Sequence, residues 1–328
     1  MSKSVLKNLL FVIFLAACST TSRNAGENNH SNNQPANLNH NVTIADTTNP
    51  AIPDSLSNAK PLSLMDLSQS QDGEIVLSEG FYEGEFKSYC LQPGTPGPSG
   101  QEAYLQAPLN SYRKEIVQTI LRNSLTQPQL EQRNIQLLLW SVVSHSDFRK
   151  LSWEVQQTAG QLLTRKQIFE LKGGVMGVVN DVSSAFPETQ ITTANSKLKE
   201  LFEMGSNSYE MYEHIAVLQQ KVDYTRPGAK QDQWYKQPGG YYLRYFPSSY
   251  QKLKVQVYVP KTSVENNPGS YLLFDPVSMM AVPAHSNSQR LGVGAPITDI
   301  LRKIIIIQKT PAPTKKEPVK IKNPKIPT

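Results

Sequence analysis

The middle of the chain repeats apolar residues with the spacing of an α-helix. Across residues 109–220, apolar positions recur every three or four residues, the period that places them on one helical face. In residues 151–163, Val155 and Leu162 belong to such a face, and Ser152 precedes it where a helix N-cap is expected. This pattern predicts five or six helices packed into one bundle.

Beyond residue 221 the repeat shortens to two residues. In LKVQVYVP, residues 253–260, apolar and polar residues alternate, which is typical of a strand with one buried face. The runs YYLRYF, SYLLF and RKIIIIQ predict further strands, and residues 73–91 would add two strands ahead of the helices. We therefore expect an α+β fold, in which a central helical bundle of five or six helices is followed by a small β-rich domain or subdomain.

Composition divides the chain further. We expect a mainly helical domain with N-terminal strands over residues 61–221 and a β-rich region over residues 222–308. Residues 19–59 contain ten asparagines and few large apolar side chains. Such a segment cannot offset the entropy of ordering, so residues 18–60 are predicted to be a disordered tether. Residues 309–328 carry six lysines against one glutamate, a net +5 of the chain's +6, and are predicted to be a disordered, basic, Pro-rich tail.

The N-terminus has the pattern of a secretory signal. Two lysines precede an apolar run over residues 9–17, which is too short to span a membrane. The run ends in Leu-Ala-Ala-Cys18 and resembles the lipobox of bacterial lipoproteins. The resemblance implies a signal peptide over residues 1–17 and acyl chains on the sulfur and the amine of Cys18. Two or more chains give stable membrane anchoring; the alternative is an ordinary signal with a chance cysteine.

The residue after Cys18 bears on where the protein is anchored. Ser19 stands there instead of an aspartate, and similarity to enterobacterial lipoproteins then favours the outer membrane. No acidic cluster follows, whereas lipoproteins exported to the cell surface often carry one. We expect an outer-membrane lipoprotein that faces the periplasm, with the cell surface as the alternative. Nucleic acid is not an expected partner in that compartment.

Common catalytic signatures are missing from the sequence. It contains no G-x-S-x-G, H-E-x-x-H, G-x-x-x-x-G-K-[ST] or G-x-G-x-x-G motif. With five scattered histidines and one cysteine besides Cys18, a structural zinc site is not expected either. We expect no metal and no cofactor, and the sequence favours a non-enzymatic protein while leaving the question open.

The second cysteine, Cys90, heads a loop rich in Pro and Gly. It is the last of only two cysteines in the chain, so lipidation of Cys18 leaves it without a disulfide partner. Exported proteins meet oxidising conditions. We therefore expect Cys90 to be buried, paired between chains or chemically committed.

Gln136 is the candidate partner, because it lies on a predicted helix that is apolar over more than half of its circumference. The motifs Tyr89-Cys90-Leu91 and Gln136-Leu-Leu-Leu-Trp140 resemble those of the thioester domains of bacterial surface adhesins. The resemblance covers about residues 88–143. It implies that Cys90 and Gln136 lose ammonia, join as an internal thioester and acylate a nucleophile on a partner protein. The alternative is a buried thiol beside a hydrogen-bonded core glutamine.

A second candidate is an aromatic segment. Eight of the 25 residues from 234 to 258 are Trp, Tyr or Phe, with Lys and Arg interleaved. Aromatic faces with flanking donors suit sugar rings or a protein partner, although the core of a small β-domain would use the same residues. The candidate ligand-binding residues are Trp234, Tyr235, Tyr241, Tyr242, Arg244 and Tyr245.

These observations favour a lipid-anchored outer-membrane envelope protein with a non-enzymatic binding or structural role. Its expected partners are the membrane, through the lipid on Cys18, and a cell-wall glycan or an envelope protein. The alternative function is that of a covalent thioester adhesin that uses Cys90 and Gln136.

Overall fold

A computed structural model describes residues 56, 59–100, 102–109, 113–173, 190–220, 234–266, 271–284 and 287–297, and the backbone of 304–305. All of them belong to one compact unit of the chain, Gln34–Thr328. The expected signal peptide, Cys18, most of the tether and the basic tail lie outside the described residues.

Helices and strands alternate along the chain in several blocks. The helices are α1 (Lys114–Ser124), α2 (Gln132–Val143), α3 (Trp153–Leu162), α4 (Arg165–Leu171), α5 (Gln190–Glu203), α6 (Tyr209–Ala216) and α7 (Lys261–Glu265). The strands are β1 (Leu62–Ser63), β2 (Gln69–Ser70), β3 (Ile75–Leu77), β4 (Gly80–Cys90), β5 (Thr95–Pro96), β6 (Tyr104–Pro108), β7 (Val217–Leu218), β8 (Tyr235–Lys236), β9 (Tyr242–Ser249), β10 (Lys252–Val259), β11 (Leu272–Phe274), β12 (Met279–Pro283), β13 (Leu291–Pro296) and β14 (Ile304–Ile305).

Within the described ranges, six antiparallel strands close into a β-barrel in the order β4-β10-β9-β6-β12-β13, and β13 returns to pair with β4. β1 and β8 extend this sheet, while β11, β3, β2 and β14 form a separate four-stranded sheet. Closure leaves the barrel strands with few free edges. The barrel combines strands from both sides of the helical segment in sequence.

The barrel core follows from the alternation along β9 and β10. Leu253, Val255 and Val257 of β10 have no exposed surface, and Val255 lies opposite the buried Tyr245 of β9. On β4, Phe86 pairs with Leu253. The strand predicted over residues 253–260 is therefore confirmed, because its period-2 pattern places every second side chain inside.

The helices pack as a layer against this barrel. α2 is central: it packs against α1, α3, α5, α6 and the end of β4, and Ile135, Leu138 and Trp140 on it are buried. α1 packs on β13. The predicted N-cap is confirmed, since the Ser152 side chain accepts the Val155 N–H (3.4 Å) at the start of α3.

The predicted arrangement of these elements is wrong. A central helical bundle followed by a small β-rich domain is not what forms: strands before and after the helices build one closed barrel. Periodicity indicates which face of each element is buried, but not which strands pair. The closing pairs join β4 to β13, about two hundred residues apart in sequence. No helix in the described part of the chain is long and apolar enough to cross a membrane.

The loop after β4 depends on a glycine that a side chain would obstruct. Gly94 has φ +81°, and a Cβ there would lie 2.5 Å from Gln190 O and 2.7 Å from Ala194 Cβ on α5. We predict that Gly94→Ala lowers the free energy of unfolding by about 3 kcal/mol, because the backbone conformation and the contact are both unfavourable. Denaturant titration of the purified variant measures this.

The matched control is Gly160→Ala in α3, where a Cβ meets nothing within 4 Å. Since Gly is a poor helix former, this variant should gain about 0.5–1 kcal/mol. Equal stabilities of the two variants would contradict the assigned role of Gly94.

Candidate functional site

Cys90 ends β4 at a point where its backbone faces away from β13. It lies opposite Leu291 of β13, and the N–H of the next residue, Leu91, donates to Arg290 O (2.9 Å). Residues of an antiparallel strand bond alternately to one neighbour and the other, so the N–H and C=O of Cys90 point to the β10 side. β10 begins opposite Lys87 and does not extend to Cys90.

The side-chain amide of Gln136 fills the place of the missing strand. Cys90 N–H donates to Gln136 Oε1 (2.8 Å), and Gln136 Nε2 donates to Cys90 O (3.0 Å). Both residues are buried. A primary amide presents a donor and an acceptor side by side, as a peptide group does, so it satisfies both buried backbone groups. The two sequence motifs therefore meet, and the Gln136 carboxamide lies against the residue that carries the thiol.

α2 holds this contact through a second glutamine. Gln132, one turn before Gln136, donates from Nε2 to Ser88 O (3.0 Å) and to Gln251 O (2.8 Å). These bonds tie the helix to β4 and to the turn between β9 and β10. The carboxamide of Gln136 is thus positioned by a rigid helix that is bonded to the barrel at two points.

The thiol lies in a dry, polar-lined site. Cys90 has no exposed surface, and burial raises the pKa of its thiol to about 12. The Trp140 indole N–H and the Gln92 backbone N–H favour the thiolate and so lower that pKa in opposition to burial. Trp140 Nε1 meets no acceptor in good hydrogen-bond geometry among the described residues. This buried N–H is therefore available to stabilise negative charge on the sulfur.

Two tyrosines enclose Trp140 on the side of α6. The Tyr209 ring stacks on Trp140 with centroids 5.7 Å apart, and the Tyr250 ring lies 6.3 Å from it. The two hydroxyls are 2.9 Å apart, and Tyr250 Oη donates to Glu213 Oε1. Burial raises the pKa of Tyr209 and Tyr250, and the Glu213 carboxylate raises that of Tyr250 further. At neutral pH both tyrosines are therefore uncharged. Their hydroxyl groups form a hydrogen-bonded chain that ends at Glu213.

A buried polar network supports the loop on the other side of Cys90. Arg290 Nη1 donates to Gln92 Oε1, and Ser288 Oγ lies 2.7 Å from both carboxylate oxygens of the fully buried Glu102. Burial lowers the pKa of Arg290 to about 10, which still leaves it charged at neutral pH. The bond from Arg290 holds the side chain of Gln92, and the backbone N–H of Gln92 faces the thiol.

The aromatic candidates divide between core and surface. The side chains of Trp234, Tyr235, Tyr241 and Tyr245 are buried. Tyr242 and Arg244 are half-buried on the outer face of β9. There Arg244 Cζ lies 4.2 Å above the ring of Trp234, and Tyr242 stacks on Tyr258 of β10 with centroids 6.1 Å apart.

Sequence reasoning missed the residues that pack around Trp140 and Gln92, the two residues whose N–H groups face the thiol. Tyr209 and Glu213 come from α6, Tyr250 from a turn and Arg290 from the residue before β13, and no motif links them. The aromatic segment did include Tyr250, although not among its candidate ligand-binding residues. Within the ranges described above, no three His, Cys, Asp or Glu side chains cluster as a metal site would require.

Comparisons with known proteins identify no relative of this chain. Neither a protein-family model nor a curated protein nor a solved structure gives a significant match to this chain. The similarity to thioester domains therefore rests on the two motifs around Cys90 and Gln136. Since function belongs to the arrangement of particular groups and not to a fold as such, the contact between these two residues is the strongest basis for a functional proposal.

Proposed function

We propose that this protein attaches covalently to an amine-bearing partner through an internal thioester between Cys90 Sγ and Gln136 Cδ. The observation that carries the proposal is the pair of hydrogen bonds between the Gln136 amide and the Cys90 backbone. The carboxamide is held against the backbone of the residue that carries the thiol, and both residues are buried. Fixed proximity of this kind substitutes for a high concentration of reactants.

Formation of the thioester balances without a co-reactant. Cys90 Sγ attacks Gln136 Cδ, the Cδ–Nε2 bond breaks, and ammonia leaves with the thiol proton. Negative charge develops on Oε1 in the tetrahedral intermediate. The Cys90 N–H, which already donates to that oxygen at 2.8 Å, stabilises this charge. Departure of ammonia removes the donor from Cys90 O, at a cost of about 1–3 kcal/mol.

In the transfer to the partner, Gln136 Cδ is again the carbon that is attacked, and Cys90 Sγ is now the leaving group. A neutral amine attacks Cδ, the C–S bond breaks, and an amine proton passes to the sulfur. The products are a substituted amide at Gln136 and a free Cys90 thiol. The indole N–H of Trp140, which favours the thiolate, stabilises the leaving sulfur. The reaction runs once per molecule, so the protein is an attachment device and not a turnover catalyst.

The first test is a mass measurement on the full chain purified in detergent. The proposal predicts peptides containing Cys90 and Gln136 that are linked and together lighter by one ammonia, because both side chains are consumed in one bond. Methylamine should then add one methylamide at Gln136 and release one titratable thiol at Cys90.

Cys90→Ala and Gln136→Ala serve as controls, and each should abolish the mass loss and the methylamine adduct. A free thiol and an intact carboxamide in the wild-type protein would overturn the thioester. The pair would then be a buried thiol and a structural glutamine that completes the end of β4.

The proposal includes a lipid anchor at the outer membrane. It is supported by the lipobox pattern that ends at Cys18 and by Ser19 after it. The Asn-rich residues 19–59 would separate the folded body from the membrane. Covalent attachment to a partner outside the cell requires that this body face outward, whereas attachment to an envelope component requires the periplasmic side.

We predict that Cys18→Ser moves the protein from the membrane fraction to the soluble fraction, because acyl chains need the thiol and the new amine. Fractionation of cells that express each form, with mass analysis of the N-terminal peptide, measures this. Ser19→Ala should leave acylation intact. Membrane retention of the Cys18→Ser variant without any acyl adduct would contradict the anchor.

One observation favours a non-covalent binding role as a second candidate. On the outer face of the barrel, Tyr242 and Tyr258 stack side by side and Arg244 lies next to them over Trp234. Half-buried rings with a flanking guanidinium form a platform on which a sugar ring of an envelope glycan would stack.

For this candidate we predict that the double variant Tyr242→Ala with Tyr258→Ala binds purified cell wall about tenfold more weakly, since it loses roughly 1.4 kcal/mol of stacking. Co-sedimentation at several protein concentrations measures the affinity. Tyr271→Ala is the matched control, because Tyr271 is exposed but lies outside this platform. An equal loss of affinity in the double variant and in Tyr271→Ala would argue against the platform.

A further inference from the structure

The helices α3 and α4 form a hairpin. Leu163 and Thr164 join them, and α4 packs on α3. Lys172 directly follows α4, and its Nζ lies 5.7 Å from the centroid of the Phe148 ring, which precedes α3. α4 therefore runs back along α3, and its end meets the short helical turn Phe148–Lys150.

One face of α4 is fixed to the rest of the protein. The Thr164 N–H donates to Gln167 Oε1 (3.0 Å) in the capping box that begins the helix. Gln167 Nε2 donates to Thr119 Oγ1 of α1 (2.8 Å). Leu171 is buried, and Ile168 packs against the core. The opposite face of α4 is therefore held in one orientation toward solvent.

That outward face combines an exposed phenylalanine with cations. Phe169 is 58 % exposed. Positions 165, 166 and 172 lie three or four residues from it, which makes them its neighbours on a helix surface. These positions hold Arg165, Lys166 and Lys172, and all three are exposed. Lys and Arg beside Phe or Trp are the side chains that peripheral proteins place against a bilayer.

The start of α3 adds a second aromatic ring to this surface. Trp153 is 69 % exposed, and tryptophan favours the interface between membrane and water. Arg149 and Lys150, both exposed, precede it in the turn that the end of α4 meets. We call the exposed side chains of residues 149–153 and 165–172 the hairpin surface.

Charge distinguishes this hairpin from the rest of the body. Residues 147–172 hold five Lys and Arg against three Asp and Glu, a net +2. Residues 18–308 together hold 25 Lys and Arg against 26 Asp and Glu, a net −1. Cations near an anionic bilayer are attracted to its surface. The charge of the hairpin surface is therefore complementary to a membrane that contains anionic phospholipids.

We infer that the hairpin surface docks onto an anionic phospholipid bilayer, with the Trp153 and Phe169 rings in the headgroup region and the cations against lipid phosphates. The inference goes beyond the thioester and does not require it. It adds a second membrane contact to the anchor proposed at Cys18. Because α4 is bonded to α1, this contact would set the orientation of the body on the bilayer.

The experiment follows the fluorescence of Trp153 in the full-length Cys18→Ser protein, so that acyl chains make no contribution to binding. Trp140 and Trp234 are buried, with 0 % and 6 % exposure, which makes Trp153 the tryptophan that lipid reaches. Vesicles with brominated acyl chains quench a ring that enters the headgroup region. Mixed phosphatidylglycerol and phosphatidylcholine vesicles should quench Trp153, whereas vesicles of phosphatidylcholine alone should not. Titration with vesicles gives the partition coefficient.

The double variant Arg165→Gln with Lys166→Gln should bind the anionic vesicles about 30-fold more weakly, at about fivefold for each cation removed. Both residues lie in the first turn of α4, where positive charge opposes the helix dipole, so this variant should keep its fold. The matched control is Lys236→Gln with Lys261→Gln. It removes the same charge from exposed positions in β8 and α7 and should bind like the parent protein.

Loss of binding and of Trp153 quenching in the first double variant alone supports the inference. An equal loss in both double variants, or no quenching by anionic vesicles, would overturn it and leave the hairpin surface to a protein partner. Neither Cys90 nor the acyl chains enter the measurement, so failure of the thioester or of the anchor leaves these outcomes unchanged. The apolar run of residues 9–17 is common to every protein compared and cancels in the ratios.

Discussion

The pairing of β4 along both of its edges is the constraint on which the structure depends. One edge pairs with β10 over residues 80–87, and the other pairs with β13 near the end of the strand. These two pairings close the barrel and fix where β4 stops. Because β4 extends past the start of β10, its last residue presents an N–H and a C=O that no neighbouring strand satisfies. That residue is Cys90, and Gln136 supplies the missing partner.

The same contact completes the structure and carries the proposed chemistry. As a hydrogen-bonded pair, the Gln136 amide completes a strand edge that would otherwise be costly to bury. Under the proposed function, it also places the Gln136 carboxamide against the residue that carries the thiol, in a site where burial keeps that thiol protonated and excludes water. In that proposal, proximity, the N–H at Oε1 and the indole N–H of Trp140 are the features that favour acyl transfer over hydrolysis.

The surroundings of the pair differ on its two sides. Toward Gln92, the polar side chains of Glu102, Ser288 and Arg290 are buried, and Arg290 donates to Gln92 in the loop after β4. Toward α6, the Tyr209 and Tyr250 hydroxyls lead to Glu213 at the surface. One side of the pair is thus held by buried polar contacts, and the other leads through two tyrosine hydroxyls to a half-buried carboxylate.

The sequence by itself determined the local elements. The helix over α3 with its Ser152 cap, the alternation along β10 and the two strands within residues 73–91 all form as their periodicity predicts. It also marked Cys90 and Gln136 as a pair of interest. Only the tertiary structure decided that strands before and after the helices share one barrel, and that Tyr209 and Tyr250 pack against Trp140 beside the thiol. The reason is physical: periodicity records burial of a face, whereas strand pairing and side-chain clusters depend on contacts between segments far apart in the chain.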